Sequence, residues 1–518
     1  MPISLSSTNA PANNPHELPS RVPLLASLLV VGFTSLISGI LLSVGDKNSL
    51  VFYGDAAAHL VRARQLVDST FSVEDTLGTV WLPLGHILLS PFVCIDALFY
   101  SGTAGMCLGI PFLVGTAWFL YDLTFRLSHS VLAAAVAACA LGLNPNIVYL
   151  VNTPMSEAGL LFFFTGASYA FYRWTENPLR FRWLYGSATL AACATLCRYE
   201  AWMLPPALTL LAFVNILGQR RIAYLQSRRP WFAFIAAFAG IILWFLWNWY
   251  YYGDALRFLG DTYLAGSEPA RAHLHKEPWE VISLYSVASV EVFGPVLLGL
   301  VCFGGWIFVK KRQGGLLVIL LLPALFTIVA MFLGFVQMDQ WGWNVRYVTI
   351  LAPVCSIAAG LSIDHMAKRS SLWSKILLGG IFVTFLVQLL LPIPGVITYK
   401  DAIRQFYPNQ VWAADTGTNL SRRYDGGGIM LFTGHGQGVR IMIPSEIHLR
   451  DFSVISDPAD SSIIAEPWRF CRYLVLALHP TPEANFYTDR WLWNMQALLS
   501  HYRICHENPE FIILRNDL

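Results

Sequence analysis

Long apolar runs are the feature of this sequence that most restricts how the chain can fold. An α-helix needs about 20 apolar residues to cross the hydrocarbon core of a bilayer, and many of the runs approach that length. Charged residues make up 13% of the 518 residues, whereas soluble domains contain about 25%. The chain is therefore predicted to be a multi-pass integral membrane protein. Its net charge of +2 does not suggest a nucleic-acid partner.

About eleven runs are long enough to be considered as spans. The apolar run 81–98 is excluded because Pro83, His86 and Pro91 interrupt it, which disfavours a regular helix in lipid. The predicted spans lie at about 24–44, 104–125, 130–150, 155–172, 183–197, 201–217, 231–251, 287–309, 315–336, 345–366 and 374–397.

Basic residues predict the orientation of these spans. With run 81–98 outside the membrane, every other connection carries clustered Lys and Arg, from Arg126 to Lys368 and Arg369, and Arg21 lies on the same side. The positive-inside rule makes that side cytoplasmic. The N-terminus is then cytoplasmic and the C-terminus extracytoplasmic, and the segments that hold the other polar residues face outward.

Three regions follow from this topology. Residues 1–20 are predicted to be a disordered cytoplasmic tail. Residues 21–399 form the membrane domain, with a long first outer loop at 45–103, and residues 400–518 form a soluble extracytoplasmic α/β domain. Strands are expected at 429–432, 440–443, 473–477 and 511–514, and a helix at 486–502.

Two cysteines, Cys471 and Cys505, fall in this polar C-terminal region. An oxidising compartment would allow them to form a disulfide. Two thiols in one small domain need not be adjacent, however, so the sequence leaves their pairing open.

The first outer loop contains Tyr53-Gly-Asp55-Ala-Ala-Ala-His59-Leu-Val-Arg62. In a helix, Asp55, His59 and Arg62 would share one face, and the helix would lie on the membrane surface. Trp81-Leu-Pro-Leu-Gly-His86 is expected to form a second surface element. The alternative is that Asp55 only caps a helix whose charged residues face water.

Three further polar sites lie at the outer ends of predicted spans: Glu157, the pair Arg198 and Glu200, and the pair Arg346 and Tyr347. Glu157 has the alternative role of a carboxylate favoured by a helix dipole. Arg198 and Glu200 have the alternative role of a hairpin-tip ion pair. Arg346 is harder to explain structurally, because an ionisable group at membrane depth is costly unless it is paired or functional.

These residue types together suit one kind of chemistry. A guanidinium binds phosphate oxygens in a fork, and a carboxylate can deprotonate an attacking hydroxyl. An outward cavity that holds both groups within apolar walls fits a substrate with a phosphate head and a lipid tail.

The order of these motifs resembles the GT-C superfamily of polytopic glycosyltransferases, in particular its protein O-mannosyltransferase and aminoarabinose-transferase branch. The resemblance rests on Asp55 in the first loop, the following Pro83 segment, Glu157 opening the fourth span, and Arg346-Tyr347 with Pro353 at a late span. The best-known members carry Asp-Glu in the first loop, whereas Ala56 follows Asp55 here.

The resemblance implies an inverting transfer of a sugar from a polyprenyl-phosphate donor to a protein, lipid or glycan acceptor. It implies that Asp55 is the base or the acceptor-activating group and that Arg346 and Arg198 hold the donor phosphate. Asp55 and Glu157 are the candidate catalytic residues. His59, Arg62, His86, Glu200 and Tyr347 are expected to bind substrate or support the site. The expected location is the bacterial inner membrane.

No cofactor is predicted, because the first loop has one Asp rather than a carboxylate cluster. A divalent metal stays open, since some GT-C enzymes need one and others do not. The main alternative function is a transporter or flippase of a lipid-linked glycan. Such proteins often place charged groups near the bilayer midplane in repeated halves, and neither feature is found in this sequence.

Overall fold

The computed structural model describes most of the chain. The described residues are 21–69, 73–218, 228–259, 277–336, 338, 344–391, 395–407, 410–433, 435–454, 466–479 and 495–516. The predicted tail at 1–20 and most of the predicted helix at 486–502 lie outside these ranges.

Helices dominate the first 390 residues. The helices that build the bundle are α1 (Arg21–Gly45), α6 (Ala104–Ser128), α7 (Val131–Gly142), α8 (Pro145–Asn152), α9 (Glu157–Glu176), α10 (Phe181–Thr195), α11 (Leu204–Gly218), α12 (Arg229–Ala237), α13 (Ala239–Tyr252), α14 (Pro278–Phe293), α15 (Pro295–Lys310), α16 (Gly314–Phe332), α17 (Ala352–Ala367) and α18 (Ser371–Leu390). Short 3-10 turns at Tyr199–Met203 and Val345–Leu351 lead into α11 and α17.

Fewer helices than predicted meet the requirements for crossing a membrane. Six helices in the described part of the chain are long and apolar enough, and the number rises to nine if three bent pairs each form one span. Eleven spans are therefore not confirmed. The difference lies at the predicted spans 155–172 and 183–197. There α9 carries Arg173 and Glu176 in its last turn, and α10 has only 15 residues, too few to cover a bilayer core of about 30 Å.

The predicted span at 287–309 is corrected by the structure. Two helices, α14 and α15, meet within it at an angle of 108°. Gly294 forms the corner with φ +78°, and Pro295 begins the second helix. Proline has no backbone N–H to continue α14, and glycine adopts a positive φ without strain. The apolar pattern is continuous through the corner, so hydropathy alone could not reveal it.

The first outer loop folds into four short helices. They are α2 (Gly54–Gln65), α3 (Val73–Leu77), α4 (Leu84–Val93) and α5 (Asp96–Tyr100), and a 3-10 turn at Ser49–Val51 precedes them. Helix α2 was predicted to lie on the membrane surface. In the structure other parts of the chain cover its apolar residues: Ala56, Ala57, Leu60 and Ala63 are completely buried.

The C-terminal part of the chain supplies that enclosure. Its helices are α19 (Ile397–Phe406), α20 (Val411–Arg423), α21 (His435–Ser445) and α22 (Met495–Leu499), and its strands are β1 (Ile429–Phe432), β2 (Phe452–Val454), β3 (Tyr473–Ala477), β4 (Arg503–Glu507) and β5 (Phe511–Arg515). The strand order is β2-β1-β3-β5-β4; β1 is parallel to both neighbours, and β5 is antiparallel to both of its neighbours. The predicted strand at 440–443 is wrong, because these residues belong to α21.

One apolar core joins this sheet to the first outer loop. Leu60 and Val61 of α2 belong to the same buried cluster as Val439 and Ile443 of α21. Arg440 reinforces the contact, because its guanidinium donates hydrogen bonds to the carbonyl oxygens of Val51 and Phe52. The region 400–518, predicted as a separate domain, thus shares its core with the loop that carries Asp55.

Cys471 and Cys505 are both free thiols, so the disulfide that the sequence left open is not formed. Cys471 is buried in the apolar cluster that includes Leu474, whereas Cys505 packs against the cluster that includes Val475. Successive residues of a strand point to opposite faces of the sheet. Cys505 also lies in β4, two strands away from β3, and two strand spacings of about 4.8 Å exceed the usual Cα separation in a disulfide.

Candidate active site

Asp55 lies in the first turn of α2, next to the 3-10 turn Val345–Leu351 that carries Arg346. Its Oδ2 accepts a hydrogen bond from Nη2 of Arg346 at 2.5 Å. The Asp55 side chain is 39% exposed, whereas the Arg346 side chain is 5% exposed. The carboxylate is therefore accessible, while the cation that holds it is fixed in the protein.

The pKa of Asp55 reflects this position. Burial raises the pKa of the carboxyl, but the charge of Arg346 lowers it further, so that the pKa lies below its usual value. Asp55 is therefore an ionised carboxylate at neutral pH and is held in an ion pair.

Arg346 is positioned by its backbone and by two aromatic rings. Asn344, which precedes the 3-10 turn, has φ +59°, a left-handed conformation that asparagine tolerates. The Arg346 guanidinium lies 5.2 Å from the ring centroid of Tyr53 and 5.5 Å from that of Tyr347. Its Nε is 3.5 Å from Oε1 of Glu157, so the guanidinium lies between two carboxylates.

Glu157 connects Arg346 to a second arginine. The buried Oε1 of this residue, in the first turn of α9, accepts a hydrogen bond from Nη1 of Arg198 at 2.8 Å. Arg198 also pairs with Glu200 at 2.8 Å and lies 5.1 Å from the ring centroid of Tyr347. The Arg198–Glu200 pair at a hairpin tip is therefore present, and it is also part of the larger cluster.

The charges of this cluster do not leave a free anion site. Two guanidiniums, of Arg198 and Arg346, face three carboxylates, of Asp55, Glu157 and Glu200. Both arginines predicted to hold a phosphate are thus already paired. A phosphate that binds here must replace a carboxylate, and Asp55 is the most exposed of the three.

His59 and His86 form a pair beside the cluster. Nδ1 of His59 lies 2.7 Å from Nε2 of His86, and the His59 ring also contacts Trp81, with 5.0 Å between ring centroids. Burial, opposed in part by Asp55, lowers the pKa of His59 to about 4, and burial lowers the pKa of His86 below its usual value. Both rings are therefore neutral at pH 7.

Arg62 does not join the cluster, although it was predicted on the same helix face as Asp55. Its Nη1 donates to the carbonyl oxygen of Thr76 at 2.7 Å, and its guanidinium lies 4.9 Å from the ring centroid of Trp81. It therefore holds α3 and the Trp81 segment against α2.

Two supporting residues were not predicted from the sequence. Asp401 of α19 accepts a hydrogen bond from the Tyr53 hydroxyl at 3.0 Å, and its burial raises its pKa to about 6. Ser156 accepts one from Arg198 at 3.3 Å. Tyr53 itself stood in the first-loop motif, but only the fold shows that it separates Arg346 from Asp401. Asp401 lies 346 residues after Asp55 in the sequence, and no local pattern links the two.

Metal binding has no obvious place in this arrangement. Within the described ranges, no three His, Cys, Asp or Glu side chains are grouped so that they could hold one ion. The acidic groups of the cluster already bind arginine.

Sequence comparisons give no relative for this chain. No protein-family model matches it, and no curated protein matches it.

Solved structures provide close matches in fold. The aminoarabinose transferase ArnT from Cupriavidus metallidurans, crystallised with undecaprenyl phosphate, superposes with a TM-score of 0.58 over 95% of this chain and 97% of its own, at 13% identity. Its apo form gives a TM-score of 0.57 over the same shares, at 14% identity. The archaeal oligosaccharyltransferase AglB from Archaeoglobus fulgidus aligns over 88% of this chain and 69% of its own, with a TM-score of 0.46 at 15% identity. The ArnT matches confirm the fold that the sequence resemblance implied.

Proposed function

We propose that this chain, which has the GT-C fold, is a membrane glycosyltransferase that moves a sugar from a polyprenyl-phosphate donor to an acceptor hydroxyl. The observation that carries the proposal is the ion pair between the accessible carboxylate of Asp55 and the buried guanidinium of Arg346. The pair contains a base for the acceptor and a cation for the donor phosphate. ArnT, which shares the fold over nearly its whole length, was crystallised with undecaprenyl phosphate.

Donor binding would convert the ion pair into a catalytic arrangement. The donor phosphate takes the place of Asp55 on Arg346, because phosphate oxygens fit the guanidinium fork and carry charge. Once released from Arg346, Asp55 loses the charge that lowers its pKa and becomes a stronger base. Donor binding and activation of the base are then the same event.

The transfer step follows from this exchange. The acceptor oxygen attacks the anomeric carbon from the face opposite the phosphate, so the configuration inverts. The bond between that carbon and the phosphate oxygen breaks, and polyprenyl phosphate leaves with the electron pair. Asp55 takes the acceptor proton, and Arg346 and Arg198 stabilise the charge on the departing phosphate.

Glu157 and Glu200 act by holding the two arginines rather than by touching the sugar. Both carboxylates are almost completely buried and are engaged by Arg198. Tyr347 lies beside both guanidiniums and keeps their planes apart. No metal ion is assigned a part in this mechanism.

The charge pattern supports a reaction on the extracytoplasmic side. Arg126 and Arg173 form an ion-pair network with Glu176 at the C-terminal ends of α6 and α9, whereas Glu157 begins α9. A 20-residue helix is about 30 Å long, so the site and the basic end lie on opposite sides of the bundle. The positive-inside rule places the basic end in the cytoplasm.

The experiment that tests this function is sugar transfer by the purified protein in lipid. A panel of radiolabelled polyprenyl-phosphate sugars is offered to wild type, to Asp55→Asn and to the control Asp96→Asn. The control also removes an Asp–Arg ion pair of the first outer loop, between the exposed Asp96 and the buried Arg64 at 2.6 Å. We expect transfer or hydrolysis by wild type and by the control, and a loss of about 10²-fold or more in Asp55→Asn.

Other outcomes would redirect the proposal. Equal turnover by wild type and Asp55→Asn would exclude Asp55 as the base and point to Glu157. Saturable donor binding by wild type without turnover of any donor would contradict the enzyme and favour a transporter or flippase of a lipid-linked glycan.

A further inference from the structure

The histidine pair beside Asp55 has a geometry that a purely structural role does not explain. His59 and His86 come from two helices, α2 and α4, and meet nitrogen to nitrogen at 2.7 Å. His86 is 1% exposed, and its Nδ1 has no hydrogen-bond partner among the described residues. A buried polar atom without a partner is costly and calls for an explanation.

A cavity adjoins the histidine pair. Both histidines line it together with Ser156 and Thr153, and the ring of apolar residues around them includes Leu108. Its volume of about 30 Å³ is enough for about two water molecules. Ser156 also accepts a hydrogen bond from Arg198, so the cavity borders the charged cluster and the histidine pair.

Asp55 lies on the other side of the pair. His59 follows Asp55 by four residues on α2, so the two side chains occupy the same face one turn apart. Asp55 is therefore next to His59, His59 meets His86, and both rings line the cavity.

We propose that His59 and His86 form a relay that carries the acceptor proton from Asp55 to water in this cavity. The inference rests on the proposed glycosyl transfer and assigns the step that restores Asp55 for the next turnover. Asp55 must lose its proton before it can pair again with Arg346, and the relay gives that proton a route away from the departing phosphate.

The proton transfers balance in a single pass. At the start, His59 Nδ1–H donates to His86 Nε2, and His86 Nδ1 carries the other proton. The proton from Asp55 binds to His59 Nε2, the Nδ1 proton of His59 moves to His86 Nε2, and the Nδ1 proton of His86 passes to water. One proton enters and one leaves, and neither ring holds a charge at the end.

The relay is tested with His86→Ala, His86→Phe and the control His448→Gln. His448 is a half-exposed histidine of the C-terminal part of the chain, near Asp68. Transfer is measured as the steady-state rate over many turnovers in lipid with the donor that wild type uses, together with donor affinity and thermal stability. We expect both His86 variants to lose about 10²-fold in transfer rate with unchanged donor affinity, whereas the control keeps the wild-type rate.

Added imidazole separates proton transfer from positioning. We expect imidazole to raise the transfer rate of His86→Ala at least tenfold, with saturation at high imidazole. The rate of His86→Phe should stay unchanged, because the phenyl ring fills the space that imidazole would occupy. His59→Gln, which keeps a hydrogen-bonding side chain but cannot relay a proton, should show the same loss if His86→Ala does not fold.

Two results would overturn the relay alone: wild-type transfer by His86→Phe, or a loss in folded His86→Ala that imidazole does not reverse. If wild type turns over no donor, the proposed function fails and the relay fails with it. The two failures are therefore distinguishable.

Discussion

Replacement of Asp55 by Asn should have opposite effects on donor binding and on catalysis. In the resting protein, Asp55 occupies the Nη2 atom of Arg346 that the donor phosphate requires. The Asn variant keeps a side chain of the same shape but removes the competing charge. We therefore expect the Asn variant to bind polyprenyl phosphate more tightly than wild type and to lose sugar transfer.

The size of the binding effect follows from the geometry of the pair. Two unit charges about 4 Å apart interact by about 1 kcal/mol in water and about 4 kcal/mol at an effective dielectric constant of 20. Because Asp55 is 39% exposed, the lower part of this interval applies, at about 1 to 2 kcal/mol. Removal of this competition lowers the dissociation constant for polyprenyl phosphate by roughly 5- to 30-fold.

The assay is equilibrium binding of radiolabelled polyprenyl phosphate, the leaving group of the proposed reaction, to wild type, Asp55→Asn and the control Asp96→Asn. The control should bind as wild type does, because Asp96 pairs with Arg64 and not with the cluster. Weaker or unchanged binding by folded Asp55→Asn would refute the idea that phosphate displaces Asp55 from Arg346.

Three further predictions concern stability. Arg440→Leu leaves two backbone carbonyl oxygens without their donor, so we expect the free energy of unfolding to fall by about 2 to 4 kcal/mol, as measured by thermal melting. We also expect faster proteolysis near residues 395–410, as measured by limited digestion. Gly109→Ala should prevent correct folding, because an added Cβ would lie 1.7 Å from a backbone oxygen of Val151, whereas Gly379→Ala, with nothing within 4 Å, should melt as wild type does in a light-scattering assay. The pKa of His59 is about 4 in the folded protein and about 6.5 in the unfolded chain. The unfolded state therefore binds the proton first, and the stability of the protein falls as the pH drops from 6.5 to 4. We expect His59→Gln to show a smaller fall in melting temperature over that interval.

The residues of the candidate site were largely predictable, but their pairing was not. Asp55, Glu157, Arg198 and Arg346 stood out because charged groups at the ends of apolar runs need a reason to be there. Phosphate binding was the expected use of both arginines. The structure shows that carboxylates already engage them, and this depends on how α2, α9 and the turn before α17 approach one another.

The prediction of local structure was wrong where one apolar pattern fits two conformations. Residues 440–443 contain three apolar side chains and read as a strand, but they form the second half of α21. Four residues are too few for periodicity to separate a strand from a buried helix. Their burial against α2 decides the outcome, and α2 is nearly 400 residues away in the sequence.

The sequence by itself determined the membrane character, the end of the bundle that carries the polar groups and the chemical types assembled there. These properties depend on hydropathy, on the distribution of Lys and Arg, and on residue type, all of which are local. Only the tertiary structure decided that Asp55 is held by Arg346, that His59 meets His86, and that the C-terminal sheet covers α2. Each of these contacts joins segments distant in the chain, and their geometry is set by packing that no short stretch of sequence encodes.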